Sequence, residues 1–177
     1  MLDTLITSKT RLKLLLKFFL NPDSKGYLRS LESEFGESTN GIRLELNRFE
    51  SAGMLVSELD GNKKVFQANS AHPLFLQLQK IVQNYIGLDQ IIETVVLKLG
   101  DVQFVYLMGK FARGLDAKII DLVFVGDVDE VYLKKLVIKA EGMISRKITY
   151  SVVSTLSENS DVGLLLWCKE INKMDGH

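Results

Sequence analysis

The chain has 177 residues, 46% of them apolar, with 22 basic side chains against 22 acidic ones. That balance excludes a strongly basic nucleic-acid coat and an acidic tail, and the length allows one large domain or two small ones. The single cysteine, Cys168, excludes an intramolecular disulfide and fits a reducing cytosol, while His72 and His177 lie too far apart for zinc-type spacing, so no metal or other cofactor is expected.

Residues 1–7 read as a partly ordered arm. Ser8 is placed to cap a helix over 9–20 whose buried face is Leu12, Leu15, Leu16 and Phe19. Lys9, Arg11, Lys13 and Lys17 read as its solvated face, with Arg11 in reach of a phosphate. Lys13 and Lys17 break the apolar run 12–20, which makes it an amphipathic helix and not a membrane span. No secretory signal is evident, and the expected compartment is the cytoplasm. Asn21-Pro22 ends the helix, because the residue before proline avoids the helical region.

Leu28, Leu31 and Phe35 recur at i, i+3 and i+7, the spacing of one face of a short helix, and Gly36 is suited to stop it in a left-handed conformation. Ser38 is placed to cap a second helix over 38–52 with a buried stripe of Ile42, Leu46 and Phe49, edged by Leu44 and Met54 and closed by Gly53. Two short helices across a tight turn are a helix-turn-helix pattern. The second helix keeps Thr39, Asn40, Arg43 and Asn47 outward, clustered toward its N-terminal half. Two short strands over 55–59 and 63–68 follow, and Asp60-Gly61 between them is a strong hairpin signal because such turns need positive φ.

This order, over about residues 5–70, resembles the winged-helix DNA-binding domain of ArsR-like and MarR-like transcriptional regulators. The resemblance implies that the second helix enters the major groove, with Thr39, Asn40 and Arg43 on base edges and Ser38 and Asn47 beside them. Arg48 and the wing residues Lys63 and Lys64 then hold backbone phosphate. Winged helices also serve as protein-interaction modules, a role that an acidic face of Glu37, Glu45 and Glu50 would favour.

Pro73 opens a helical pattern through Leu74, Leu78, Ile81, Val82 and Tyr85; Gly87 interrupts it, and Leu88, Ile91, Ile92, Val95, Val96 and Leu99 resume it as far as Gly100. Residues 73–100 thus read as linker helices, either pairing two chains or lying on the second domain. From 101 onward strands alternate with helices: strands over 102–108, 119–125 and 146–154, a helix over 131–143 with Asp129 as its cap, and a terminal helix over 158–174. Trp167 and Cys168 read as packing residues of that last helix, and Tyr150 as a strand residue. The expected class is α/β, α+β overall.

The segment Gly109-Lys-Phe-Ala-Arg-Gly114 followed by Asp121 on a strand resembles the signature of the nucleotidyltransferase fold, in particular its minimal prokaryotic members. In that family a Ser or Thr follows the first glycine and two carboxylates stand two residues apart on the strand. Lys110 and Ile119 occupy those positions here, and the third strand, 147–153, carries no carboxylate. Nucleotidyl transfer needs carboxylates converging on Mg²⁺, and a lone Asp holds Mg²⁺ poorly. The resemblance therefore implies an inactive scaffold in which Gly109, Lys110, Arg113 and Asp121 form at most a nucleotide or anion site. The expected protein is a homodimeric, double-stranded-DNA-binding regulator without enzymatic activity. The alternative is an active Mg²⁺-dependent transferase that modifies a partner protein.

Overall fold

The computed structural model describes residues 6–155 and 163–169. It is a mixed α and β structure, of α+β class, in two compact units: one spans 1–85 together with 113–116, the other 86–112 together with 117–177. Most of the predicted N-terminal arm and most of the predicted terminal helix fall outside the described residues.

In the first unit, α1 (Lys9–Leu15) begins where the Ser8 hydroxyl accepts the Arg11 N–H at 3.2 Å. It continues as a wider π-helical turn, Leu16–Leu20, in which every residue is buried. A short strand β1 (Gly26–Tyr27) leads into α2 (Leu28–Phe35). The Tyr27 N–H donates to the Ser30 hydroxyl at 3.1 Å and that hydroxyl donates back to the Tyr27 carbonyl at 2.8 Å, which fixes the helix entry. Gly36, at φ 63°, ends α2 in the left-handed region and its N–H meets the Glu32 carbonyl. α3 (Thr39–Ser51) starts two residues after the turn, with the Ser38 hydroxyl accepting the Gly41 N–H at 3.2 Å. β2 (Leu55–Asp60) and β3 (Lys63–Ala68) form the hairpin, with Asp60 opposite Lys63 and Gly61 at φ 60°, and β1 adds to its other edge in the order β1-β3-β2. Leu14, Phe18, Leu31, Ile42, Leu46 and Leu55 are buried together as the core beneath these elements. α4 (Phe75–Ile86) begins two residues later than Pro73 suggested, and Phe75 stacks at a tilt on Phe19, ring centres 5.9 Å apart.

Gly87, at φ 95°, breaks the helical run at the predicted place. The second unit opens with α5 (Leu88–Ile91), a π-helical stretch Ile92–Val96 and α6 (Leu97–Leu99), which bury Leu88, Ile91, Val95 and Val96. Its sheet comprises β4 (Val102–Met108), β5 (Ile119–Gly126), β6 (Lys147–Val153) and β7 (Leu164–Cys168) in the order β6-β5-β4-β7. β5 and β6 run parallel; β4 is antiparallel to both its neighbours. α7 (Gly109–Ala112) is a single turn after β4, and α8 (Glu130–Glu141) is capped by the Asp129 carboxylate, which accepts the Val131 and Tyr132 N–H groups at 2.9 and 3.0 Å. Leu133, Leu136, Val137 and Ala140 of α8 are buried with Val105, Leu107, Ile120 and Phe124 of the sheet.

Two expectations are corrected here. The stretch containing Trp167 and Cys168 is a strand and not a helix: Val105 stands opposite Trp167 and Phe104 opposite Cys168 on the free edge of β4. A five-residue apolar run carries no period of its own, so an open sheet edge with unpaired N–H and C=O groups decides its form. Lys17 is not on a solvated face. It is 7% exposed, and its ammonium sits 2.7 Å from Glu34 Oε2 and donates to the Arg113 carbonyl at 3.3 Å. A buried ammonium needs such partners to offset its lost hydration.

Candidate nucleic-acid interface

α3 separates its residues cleanly. Ile42, Leu46 and Phe49 are buried, whereas Asn40, Arg43, Asn47 and Arg48 are exposed, with Ser38 exposed before them and Thr39 half-buried. Leu44, read from sequence as an edge of the buried stripe, is 52% exposed beside Arg43. An exposed leucine among amides and a guanidinium offers apolar contact of the kind a thymine methyl accepts.

Between this face and the hairpin lies a groove of about 570 Å³, lined by Tyr27, Leu28, Arg29, Arg43, Leu46, Asn47, Asn62, Lys63, Lys64 and Phe66. Four of those side chains are cationic and none is acidic. Lys63 Nζ stands 4.7 Å from the centre of the Tyr27 ring, and Lys64 Nζ 5.1 Å from that of Phe66, so each ammonium rests on an aromatic face. Of the predicted DNA-facing residues, Arg43, Asn47, Lys63 and Lys64 thus meet at one groove; Ser38, Thr39 and Asn40 lie at the N-terminal end of the same helix, and Arg48 one turn beyond Leu44.

The carboxylates of α3 do not form an acidic face. Glu45 is 5% exposed and takes the Arg11 guanidinium at 2.9 and 3.1 Å and Arg48 at 3.0 Å. Burial alone pushes its carboxyl up, but the hydrogen bonds and charges of Arg11 and Arg48 outweigh this and hold it below the usual carboxylate range. The same contact raises Arg11, which is therefore a structural partner of Glu45 and not a spare phosphate ligand. Glu50 binds the Lys64 ammonium at 2.7 Å and the Ser57 hydroxyl at 2.5 Å, which ties the hairpin to the helix and lowers the Glu50 carboxyl, chiefly through Lys64. Glu37 is held by Lys13 at 2.7 Å. Among the described residues, no carboxylate pairs with Arg29, Arg43 or Lys63.

Sequence reasoning missed Arg29, Asn62 and the role of Glu45. For Glu45 a signal existed. It stands three residues after Ile42 and four before Phe49, inside the apolar stripe, where a charge must have a partner. For Arg29 only its place next to Leu28 at the start of α2 hinted at an outward direction.

The second set of candidate residues is divided. Gly109, Lys110 and Asp121 belong to the second unit, and Arg113 to the first, where its carbonyl serves Lys17. Asp121 stands opposite Met108 on β5, and the Thr149 hydroxyl donates to its Oδ1. Gly109, at φ 64°, lies so near that a Cβ there would be 2.6 Å from Asp121 Oδ2. Lys110 is exposed on α7, and Ile119 is an exposed apolar residue. Among the described residues, no three His, Cys, Asp or Glu side chains are grouped to hold a metal ion, and no helix is long and apolar enough to cross a membrane.

No family model and no curated protein matches the chain. Among solved structures, that of AF1382 from Archaeoglobus fulgidus is similar at 21% identity with a TM-score of 0.38, covering 52% of this chain and 98% of that one. A likeness that weak carries no argument about function.

Proposed function

We propose that the first unit is a winged helix-turn-helix that binds double-stranded DNA, and that the protein is a transcriptional regulator acting as a homodimer. One observation carries this: the exposed face of α3 and the adjoining groove present amides and cations, while the carboxylates of that helix are turned into ion pairs with Arg11, Arg48 and Lys64. In a near-neutral chain, local placement and not net charge must supply attraction to phosphate. Arg43 and Asn40 are the base readers, since Arg suits guanine and Asn suits adenine in the major groove. Lys63 holds the backbone directly, and Lys64 and Arg48 do so by sharing their charge between phosphate and the carboxylates of Glu50 and Glu45. One such unit offers a small interface, so two copies reading paired half-sites are expected. The second unit is a nucleotidyltransferase-like scaffold without transferase activity, because among the described residues Asp121 has Thr149 and not a second carboxylate beside it.

Selection of binders from a pool of random duplexes, followed by gel shifts over a salt series, tests this. Arg43→Ala is expected to lose about 1–3 kcal/mol on the selected sequence and little on random DNA. Lys63→Ala with Lys64→Ala is expected to weaken all sequences alike and to flatten the salt dependence by about two phosphate contacts. No enrichment of any duplex, or equal behaviour of these variants, would overturn the assignment. Mg²⁺-dependent label transfer abolished by Asp121→Asn would restore the transferase alternative.

A further inference from the structure

The groove between α3 and the hairpin is more than a phosphate contact requires. Backbone phosphate is held by cations and hydrogen-bond donors and calls for no apolar floor. This groove is concave, its volume of about 570 Å³ falls within the range of small-molecule sites, and its floor includes Leu28, Leu46 and Phe66. At its rim Arg29, Arg43 and Lys63 have no carboxylate partner among the described residues. Asn47 and Asn62 also line it, each with an amide that both donates and accepts. Lys63 is held near Tyr27 by the ring face, so the cations are gathered at the groove and not spread over the surface.

We propose that this groove binds a phosphorylated nucleoside, with the phosphate on Arg29, Arg43 and Lys63 and the planar base over the apolar floor, its polar edge toward Asn47 and Asn62. A doubly charged phosphate answers three cations that no carboxylate pairs among the described residues, and a flat ring with hydrogen-bonding edges answers an apolar floor bordered by amides. The site stands on the chemistry of the groove alone. Its regulatory consequence rests on the DNA reading: Arg43 and Lys63 serve both ligands, so a bound nucleotide and duplex DNA exclude each other.

Calorimetric titration of the full chain with each of the four ribonucleoside 5′-monophosphates, with the free nucleosides and with inorganic phosphate tests the site. At least one monophosphate is expected to saturate at one per chain with a Kd below about 1 mM. It is expected to bind at least about tenfold more tightly than its nucleoside or phosphate alone, because each fragment answers only half of the groove. Arg29→Gln with Lys63→Gln, both exposed positions, is expected to weaken that monophosphate at least about tenfold. Three results overturn the site: no monophosphate saturates, phosphate alone binds as well as the best monophosphate, or the double variant binds unchanged. Gel shifts on the same preparations separate the two assignments. Duplex binding without monophosphate binding removes the nucleotide site and leaves the DNA reading standing; monophosphate binding without duplex binding does the reverse.

Discussion

The two sets of candidate residues hold their carboxylates differently. In the first unit, Glu45, Glu50, Glu37 and Glu34 are each matched to a lysine or arginine, and three cations that no carboxylate pairs among the described residues, Arg29, Arg43 and Lys63, gather at one groove. In the second unit, Asp121 has the Thr149 hydroxyl for a neighbour, and Lys110 stands exposed nearby in sequence. A ligand-seeking surface arises where unpaired charges of one sign gather at one groove, as these cations do. A lone carboxylate satisfied by one hydroxyl makes no such surface.

The largest expected effect comes from breaking that internal neutralisation. Glu45→Gln removes the charge between Arg11 and Arg48 and is expected to destabilise the protein by about 2–3 kcal/mol, because two guanidinium groups lose a nearly buried partner. The Glu45 carboxyl lies below its ordinary value when folded. Its stabilisation is therefore complete above the unfolded value of about 4.3 and falls away as pH drops through the lower folded value. Thermal melts of the wild type and Glu45→Gln should accordingly differ most above about pH 5 and converge in stronger acid. A constant difference across that range would show that the ion pairs are not the cause.

A smaller effect sharpens the comparison from the other side. Glu50→Gln releases Lys64 from its carboxylate and removes a negative charge beside the groove. Affinity for any duplex is expected to rise a few-fold, about 0.5–1 kcal/mol, with no change in sequence preference. Filter binding on selected and random duplexes reads this directly. A fall in affinity would mean that the tie between helix and hairpin matters more than the freed cation. The smallest effect belongs to the second unit. Asp121→Asn keeps a partner for the Thr149 hydroxyl and is expected to shift stability by less than about 1 kcal/mol and DNA binding not at all. A loss of duplex binding in this variant would end the division of labour between the units.

Much of the first unit was legible because its signals are local. Ser8 and Ser38 cap helices where a hydroxyl precedes an apolar period, and Gly36 ends α2 with positive φ; the hairpin turn falls one residue later than Asp60-Gly61 suggested, on Gly61-Asn62, because Asp60 pairs with Lys63 and only Gly61 takes positive φ. Asp129 and Gly87 mark helix ends in the second unit for the same reason. What escaped the sequence depends on partners distant in the chain. Lys17 is buried because Glu34 waits for it, and Glu45 faces inward because Arg11 lies 34 residues away. β7 is a strand because β4 offers an edge, which no short run of apolar residues can announce. The groove was half visible: its α3 and hairpin cations were predicted as DNA contacts, but Arg29 and the apolar floor required the elements to be assembled.

The central claim is that duplex DNA lies against the outward face of α3 and the hairpin. Hydrogen-exchange protection of the full chain, with and without a selected duplex, tests it most directly. New protection is expected at residues 38–48 and 60–66 and none on β4 to β7. Protection confined to the second unit, or no change at α3 under saturating duplex, would contradict it.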